Sequence, residues 1–418
     1  MNVAKATCIA FLAALVAVGV STTSYAFHSG GVAECEGCHS MHSPAAADNR
    51  LLVGTDPSST CLSCHEHAGD TGPSSYHIST AAVDMAANAP KQRTPGGDFG
   101  WVKKTWDEAL DPDQRHGHNI VAFDQGYAAD DNNIFAPGSS NGFPSSQLGC
   151  QSCHDQHGQT RRTTTGYQKG GTIGQAVLPI MASGSYNNSP NPTTTEAVGV
   201  YRLLRGMGDT YGGVTFAGAP IAVAPSTYNQ TEATNQVRVA YGASGADTWG
   251  NWCATCHADM HSSNGYVHPV DQSLSGNADN YNAYLKSGDL TGTSATSFSS
   301  LVPFAEATGD YGVLKTHASN TGGYLNGPAT GDKVMCLSCH RAHASGMPEA
   351  LRFSQSYEFM TYGSNYIGMD NPLMTTSRKP TQTFRRNMAD WQAAYYDRPA
   401  SQFATYQRVL CNKCHAKD

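Results

Sequence analysis

Six copies of Cys-x-x-Cys-His, starting at Cys35, Cys61, Cys150, Cys253, Cys336 and Cys411, use every cysteine of this 418-residue chain except Cys8. Two thiols three positions apart can each add to a vinyl group on one edge of a porphyrin, and the adjacent imidazole then falls on the iron. A zinc site would need a second Cys or His pair at a defined interval, and a redox dithiol would not need the adjacent histidine. Six complete copies therefore imply six covalently attached haem c groups. They are held by Cys35 and Cys38, Cys61 and Cys64, Cys150 and Cys153, Cys253 and Cys256, Cys336 and Cys339, and Cys411 and Cys414. The first axial ligands are His39, His65, His154, His257, His340 and His415.

Ahead of these motifs, Lys5, an apolar run from Cys8 to Val20 and the small residues of Ser24-Tyr25-Ala26 read as a secretory signal peptide, residues 1–26. Removing it leaves 25 Lys and Arg against 33 acids, a net charge of about −8, before haem propionates are counted. Nucleic acid is excluded as a partner, because phosphate binding needs clustered positive charge. No later apolar run is long enough to span a membrane. Export through the periplasm to the outer surface is the expected route. In that oxidising setting the twelve remaining cysteines would ordinarily pair, but thioether formation consumes all of them.

The expected fold is a multihaem c-type cytochrome, mostly coil with short α-helices, little β, and haems forming the core of one domain over residues 27–418. The intervals between motif starts, 26, 89, 103, 83 and 75 residues, are too irregular for a fixed-repeat solenoid. Short helices are expected at 279–286, 299–307, 388–395 and 402–410. The Gly/Ser/Thr/Asn-rich stretches 136–147, 182–196 and 287–300 read as loops. The acidic run 124–133 does not match an EF-hand and reads as a solvated loop. The cations Lys103, Lys104, Arg161, Arg162, Arg385 and Arg386 are available to propionates, with solvated charge the plainer expectation for each.

Eleven of the seventeen histidines lie outside the motifs, enough to close six irons with five over. Carriers fill both axial positions while catalytic haems keep one open, so the supply favours electron transfer over reductase chemistry. The first, third and fifth motifs carry a second histidine three residues on, His42, His157 and His343, whereas the others do not, which suggests three odd/even haem pairs. Residues three apart share a helical face, so these histidines should serve a different iron from their own motif's. His77, His118, His268 and His317 stand alone between motifs as further distal candidates. His67 and His261 compete less well, and His28 and His116 are the weakest. His42 has no earlier haem in the chain to reach back to, which points to another molecule.

The stretches Phe27–His42, His67–Thr80, Thr94–Thr105, Gly117–Ala122, Lys286–Thr293, Cys336–Gly346 and Tyr406–Asp418 resemble the OmcS-type hexahaem cytochromes of metal-reducing bacteria, with His116 a departure. The resemblance implies an extracellular filament of protomers stacked head to tail, with every iron bound by two histidines. It also implies that His42 ligates the neighbour's haem on Cys336, Cys339 and His340. The expected function is conduction of electrons to minerals, electrodes or other cytochromes outside the cell. The rivals are a monomeric periplasmic or surface shuttle and a multihaem reductase with an open haem.

Overall fold

The computed structural model describes residues 35–42, 44–45, 50–68, 76–85, 89–139, 142–169, 178, 180–181, 185–225, 238–262, 268–297, 302–319 and 326–415. The signal segment 1–26 and His28 lie outside them. None of the described helices is long and apolar enough to cross a membrane.

Regular structure is short throughout, as expected, and the helices have local causes. Asp56 caps the helix Pro57–His65 by accepting the Ser59 amide at 2.8 Å, with proline at its first position. Thr248 caps Trp249–Ala254 and Asp310 caps Tyr311–His317 in the same manner. Asn387 and Asp390 form a reciprocal box at the start of Met388–Ala394. The helix expected at 279–286 is present as Asn277–Ala283.

Two expected helices are not present among the described residues. Within 299–307, Ala305 and Glu306 are extended and pair in parallel with Tyr241 and Gly242. After a 3₁₀ turn at Ala400–Gln402, the chain runs on without helix, because Arg408 bridges Phe359 and the Gln407 side chain donates to the Tyr284 hydroxyl at 2.9 Å. Tertiary pairing overrides local propensity at both places.

The β content is small but organised. A four-stranded sheet joins Gly166–Lys169, Thr160–Thr163, Ala197–Gly199 and Ile180–Met181. A three-stranded sheet joins Ala305–Glu306, Ala240–Gly242 and Ile221–Val223. Its strands sit over a core of Val198, Ile221, Val223, Ala240, Tyr311 and Leu314. The largest apolar cluster holds Leu62, Trp101, Tyr281, Tyr284, Met347, Met360 and Trp391. The polypeptide thus supplies more core of its own than composition suggests.

Candidate haem-binding sites

In the first, third and fifth motifs the two cysteines flank a single helical turn, Cys35–Cys38, Cys150–Cys153 and Cys336–Cys339. Each turn closes with the histidine amide donating to the first cysteine's carbonyl, at 2.8, 2.9 and 2.9 Å. Ser152 and Ser338 accept the amides of Gly149 and Met335, which holds the turn's entry. His154 and His340 then leave in extended backbone, so both thiols project from one turn with the imidazole beside them.

Five of the six motif histidines have a fixed tautomer. Nδ1–H of His39 donates to Arg50 O (2.7 Å), of His65 to Tyr76 O (2.9 Å), of His154 to Arg202 O (2.8 Å), of His257 to Pro137 O (2.8 Å) and of His340 to Glu349 O (2.8 Å). A proton held on Nδ1 leaves the Nε2 lone pair for a metal, the arrangement that orients histidine ligands generally. Burial also holds His154 at about 4, so the ring is neutral at pH 7, and burial lowers His340.

The carbonyl partners of the odd motifs come from a repeated clamp. His39 bridges Leu52, His154 bridges Leu204 and His340 bridges Leu351, each in antiparallel sense. Around them, Val53 N donates to Cys38 O, Arg205 N to Cys153 O and Arg352 N to Cys339 O. The clamps enter through left-handed residues: Leu51 (φ 54°), Arg202 and Leu203 (φ 52° and 48°), Glu349 and Ala350 (φ 55° and 54°). The signal for it in the sequence is the run Arg50-Leu51-Leu52, Arg202-Leu203-Leu204 and Glu349-Ala350-Leu351.

An iron held between two imidazoles needs ring centres about 6 Å apart, since each metal–nitrogen bond is about 2 Å and the nitrogen lies about 1 Å from its ring centre. Three pairs meet this. His118 faces His257 at 6.2 Å, His343 faces His154 at 6.5 Å, and His268 faces His415 at 6.2 Å. Burial pushes His343 down to about 3 and lowers His118, which keeps both neutral and able to ligate. The residues present therefore fit covalently held haem. His343 opposes a motif other than its own, as its spacing suggests.

The remaining candidates are differently placed. His77 is buried and stacks on His67 with ring centres 4.5 Å apart, too close for a metal between them. His317 approaches Glu306 at 2.6 Å and His261 approaches Asp271 at 3.2 Å. His116 is wholly buried between Ser345 and Asp111. His42 and His157 are exposed.

Motif sulfurs follow one another in chain order. The thiols of Cys61 and Cys150 are in hydrogen-bonding contact, as are those of Cys253 and Cys336. Cys38 lies near Cys64, Cys153 near Cys256 and Cys339 near Cys411. The tightest sulfur contacts join motif two to three and four to five. They go with packing between Pro57–His65 and Cys150–Cys153, and between Trp249–Ala254 and Cys336–Cys339. Among the described residues all twelve motif cysteines are free of disulfides.

The cations set aside for solvent are mostly engaged. Lys103 donates to Gln125 O, Lys104 to Met85 O, and Arg161 to Gly158 O and Leu178 O. Arg162 lies 5.8 Å from the Tyr167 ring centre, Arg385 pairs with Asp107, and Arg386 is buried against Asp111. In the run 124–133, Asp130 accepts the amides of Asn132 and Asn133, as a loop does.

A search of curated proteins finds the C-type cytochrome OmcS of Geobacter sulfurreducens, 49% identical over 94% of this chain and 95% of that protein. Among solved structures, the outer membrane cytochrome S filament of Geobacter sulfurreducens matches with a TM-score of 0.82 and 48% identity. The cryo-EM structure of the OmcS nanowires matches at 0.81 and 48%; both alignments cover 94% of this chain and all of the other. No protein-family model matches the chain.

Proposed function

Because this chain belongs to the family of the c-type cytochrome OmcS, we propose that it carries electrons outside the cell through six haems and that its copies join head to tail into a conducting filament. Haem iron would supply the one-electron chemistry; the chain's own task would be to hold the six groups through the paired cysteines and to offer each iron two histidines.

One observation carries the reading. His343, the second histidine of the fifth motif, faces the histidine of the third, a step back of two motifs. The same step gives His157 to the first motif's His39. Applied to His42 it runs off the start of the chain and arrives at the fifth motif of a preceding copy, the haem on Cys336, Cys339 and His340. The even motifs show a second step, forward rather than back. His118, between motifs two and three, faces the fourth, and His268, between four and five, faces the sixth. His28, ahead of motif one, would by that forward step serve the second motif's iron alongside His65. Six distal ligands are then His28, His42, His118, His157, His268 and His343, with His77 and His317 outside the set.

A histidine ligand shared between copies makes a heterologous contact, which propagates as an open filament rather than closing. Six closed centres favour a carrier over a reductase. We place the filament at the outer surface, with minerals, electrodes or other cytochromes as acceptors. The test is His42→Ala in purified protein, read by haem content and negative-stain imaging. Six haems per chain and only single particles are expected; filaments in the variant would overturn the shared ligand.

A further inference from the structure

His118 and His343, the ligands read above for two consecutive motifs, leave the same short ladder. Ala344 bridges Gly97 in parallel and Gly117 in antiparallel sense. His118 N donates to His343 O at 2.9 Å, His343 N to Gly96 O at 2.7 Å and Ser345 N to His116 O at 2.9 Å. The His118 ring is tied back again, Nδ1–H donating to Ala342 O at 2.6 Å. Backbones approach so closely that a Cβ on Gly117 would fall 2.3 Å from His343 O. A slip in this ladder moves both imidazoles together.

We propose that His116 is a positioning residue for both ligands, bracing this ladder from the interior. It cannot itself reach an iron. Its side chain has no exposed surface, Nδ1–H donates to Ser345 O at 2.9 Å, and Nε2 lies 3.1 Å from Asp111 Oδ1. Asp111 is also wholly buried and accepts from Arg386 Nε at 3.0 Å and Nη2 at 2.5 Å. Arg386 returns to the same turn, donating to Gly346 O. The Ser345–Gly346 turn is thus gripped by an imidazole and a guanidinium that share one carboxylate.

Flat aromatic walls complete the brace. Trp101 stacks on His116 with ring centres 6.2 Å apart, and the Arg386 guanidinium lies 5.1 Å from the Trp106 ring centre and 5.0 Å from that of Trp391. Ligand groups must be held within about 0.5 Å of their working geometry by neighbours whose own rotamers are fixed, and His116 meets that description for two ligands at once.

This inference rests on the ligand reading above, and the experiment separates the two. Oxidised holoprotein is examined by electron paramagnetic resonance, which distinguishes low-spin, doubly ligated irons from high-spin ones. In His116→Ala, the low-spin signals of two of the six centres should shift or give way to high-spin signal while the other four persist. His116→Asn, whose amide nitrogen takes the place of Nδ1 towards Ser345 O, should restore them. Should His116→Ala fail to accumulate, Asp111→Asn replaces it, with the same two centres expected to change. Six unaltered low-spin centres in His116→Ala, or in Asp111→Asn when it stands in, would overturn the positioning role. If His118→Ala and His343→Ala also leave all six unaltered, it is the ligand reading that fails instead.

Discussion

Arg386 and Asp111 have no exposed surface, and removing one partner of such a pair leaves the other charged and buried. Arg386→Leu should therefore cost about 3–5 kcal/mol in unfolding experiments. Burial alone would raise the Asp111 pKa, yet His116 beside it and the Arg386 charge hold it below the ordinary carboxylate range. A depressed carboxyl contributes stability that is full above the unfolded pKa, about 3.9, and is lost as pH falls through the folded value. The melting temperature should accordingly drop below about pH 4, and Asp111→Asn should flatten that limb while lowering the neutral-pH value. At this scale the attachment residues were open to reading, because covalent chemistry dictates their spacing. The role of Arg386 was not, since an arginine beside another arginine reads as solvent-facing until Trp101 and Trp106 from a distant segment, with the nearby Trp391, enclose it. His116 stood out as a departure, but nothing local to it points to Asp111 or Ser345.

Elements recur with the odd motifs. The clamp that presents a carbonyl to His39, His154 and His340 is the same bent segment each time, yet it follows the histidine by 11, 48 and 9 residues. Such uneven separations hide a repeat that becomes plain once the segments are side by side. The bend depends on left-handed residues other than glycine, which cost about 1–2 kcal/mol each. Glu349, at φ 55°, is exposed, and its ion pair with Arg115 is a surface contact of little worth. Glu349→Gly should therefore leave stability unchanged or raise it by about 1 kcal/mol. Glu349→Pro, fixed near φ −65°, should break the clamp and disturb the haem on His340; thermal denaturation with haem spectroscopy distinguishes the two. The helices Asn277–Ala283 and Met388–Ala394 were legible. Those expected at 299–307 and 402–410 gave way to pairing with Tyr241, Gly242 and Phe359, partners that no local pattern names.

For the whole molecule, the histidine count already sufficed to close every iron, and the second histidines of the odd motifs already marked His42 as lacking a mate. What folding adds is the rule. Motif sulfurs succeed one another in chain order, and of the ring pairs, 343 with 154 steps back two motifs from the fifth, whereas 118 with 257 and 268 with 415 step forward to the fourth and sixth. A backward step of two among the odd motifs would leave His42 unmet at the start of the chain and the fifth motif's iron open, which is how the proposed filament would become a repeating unit. In the proposed filament the two meet at the haem on His340. A cryo-EM density map of the assembled protein, read at the position trans to His340, tests this most directly. The expected density is the imidazole of His42 from the neighbouring protomer; a histidine from the same chain, or an open coordination site, would contradict the filament built through a shared ligand.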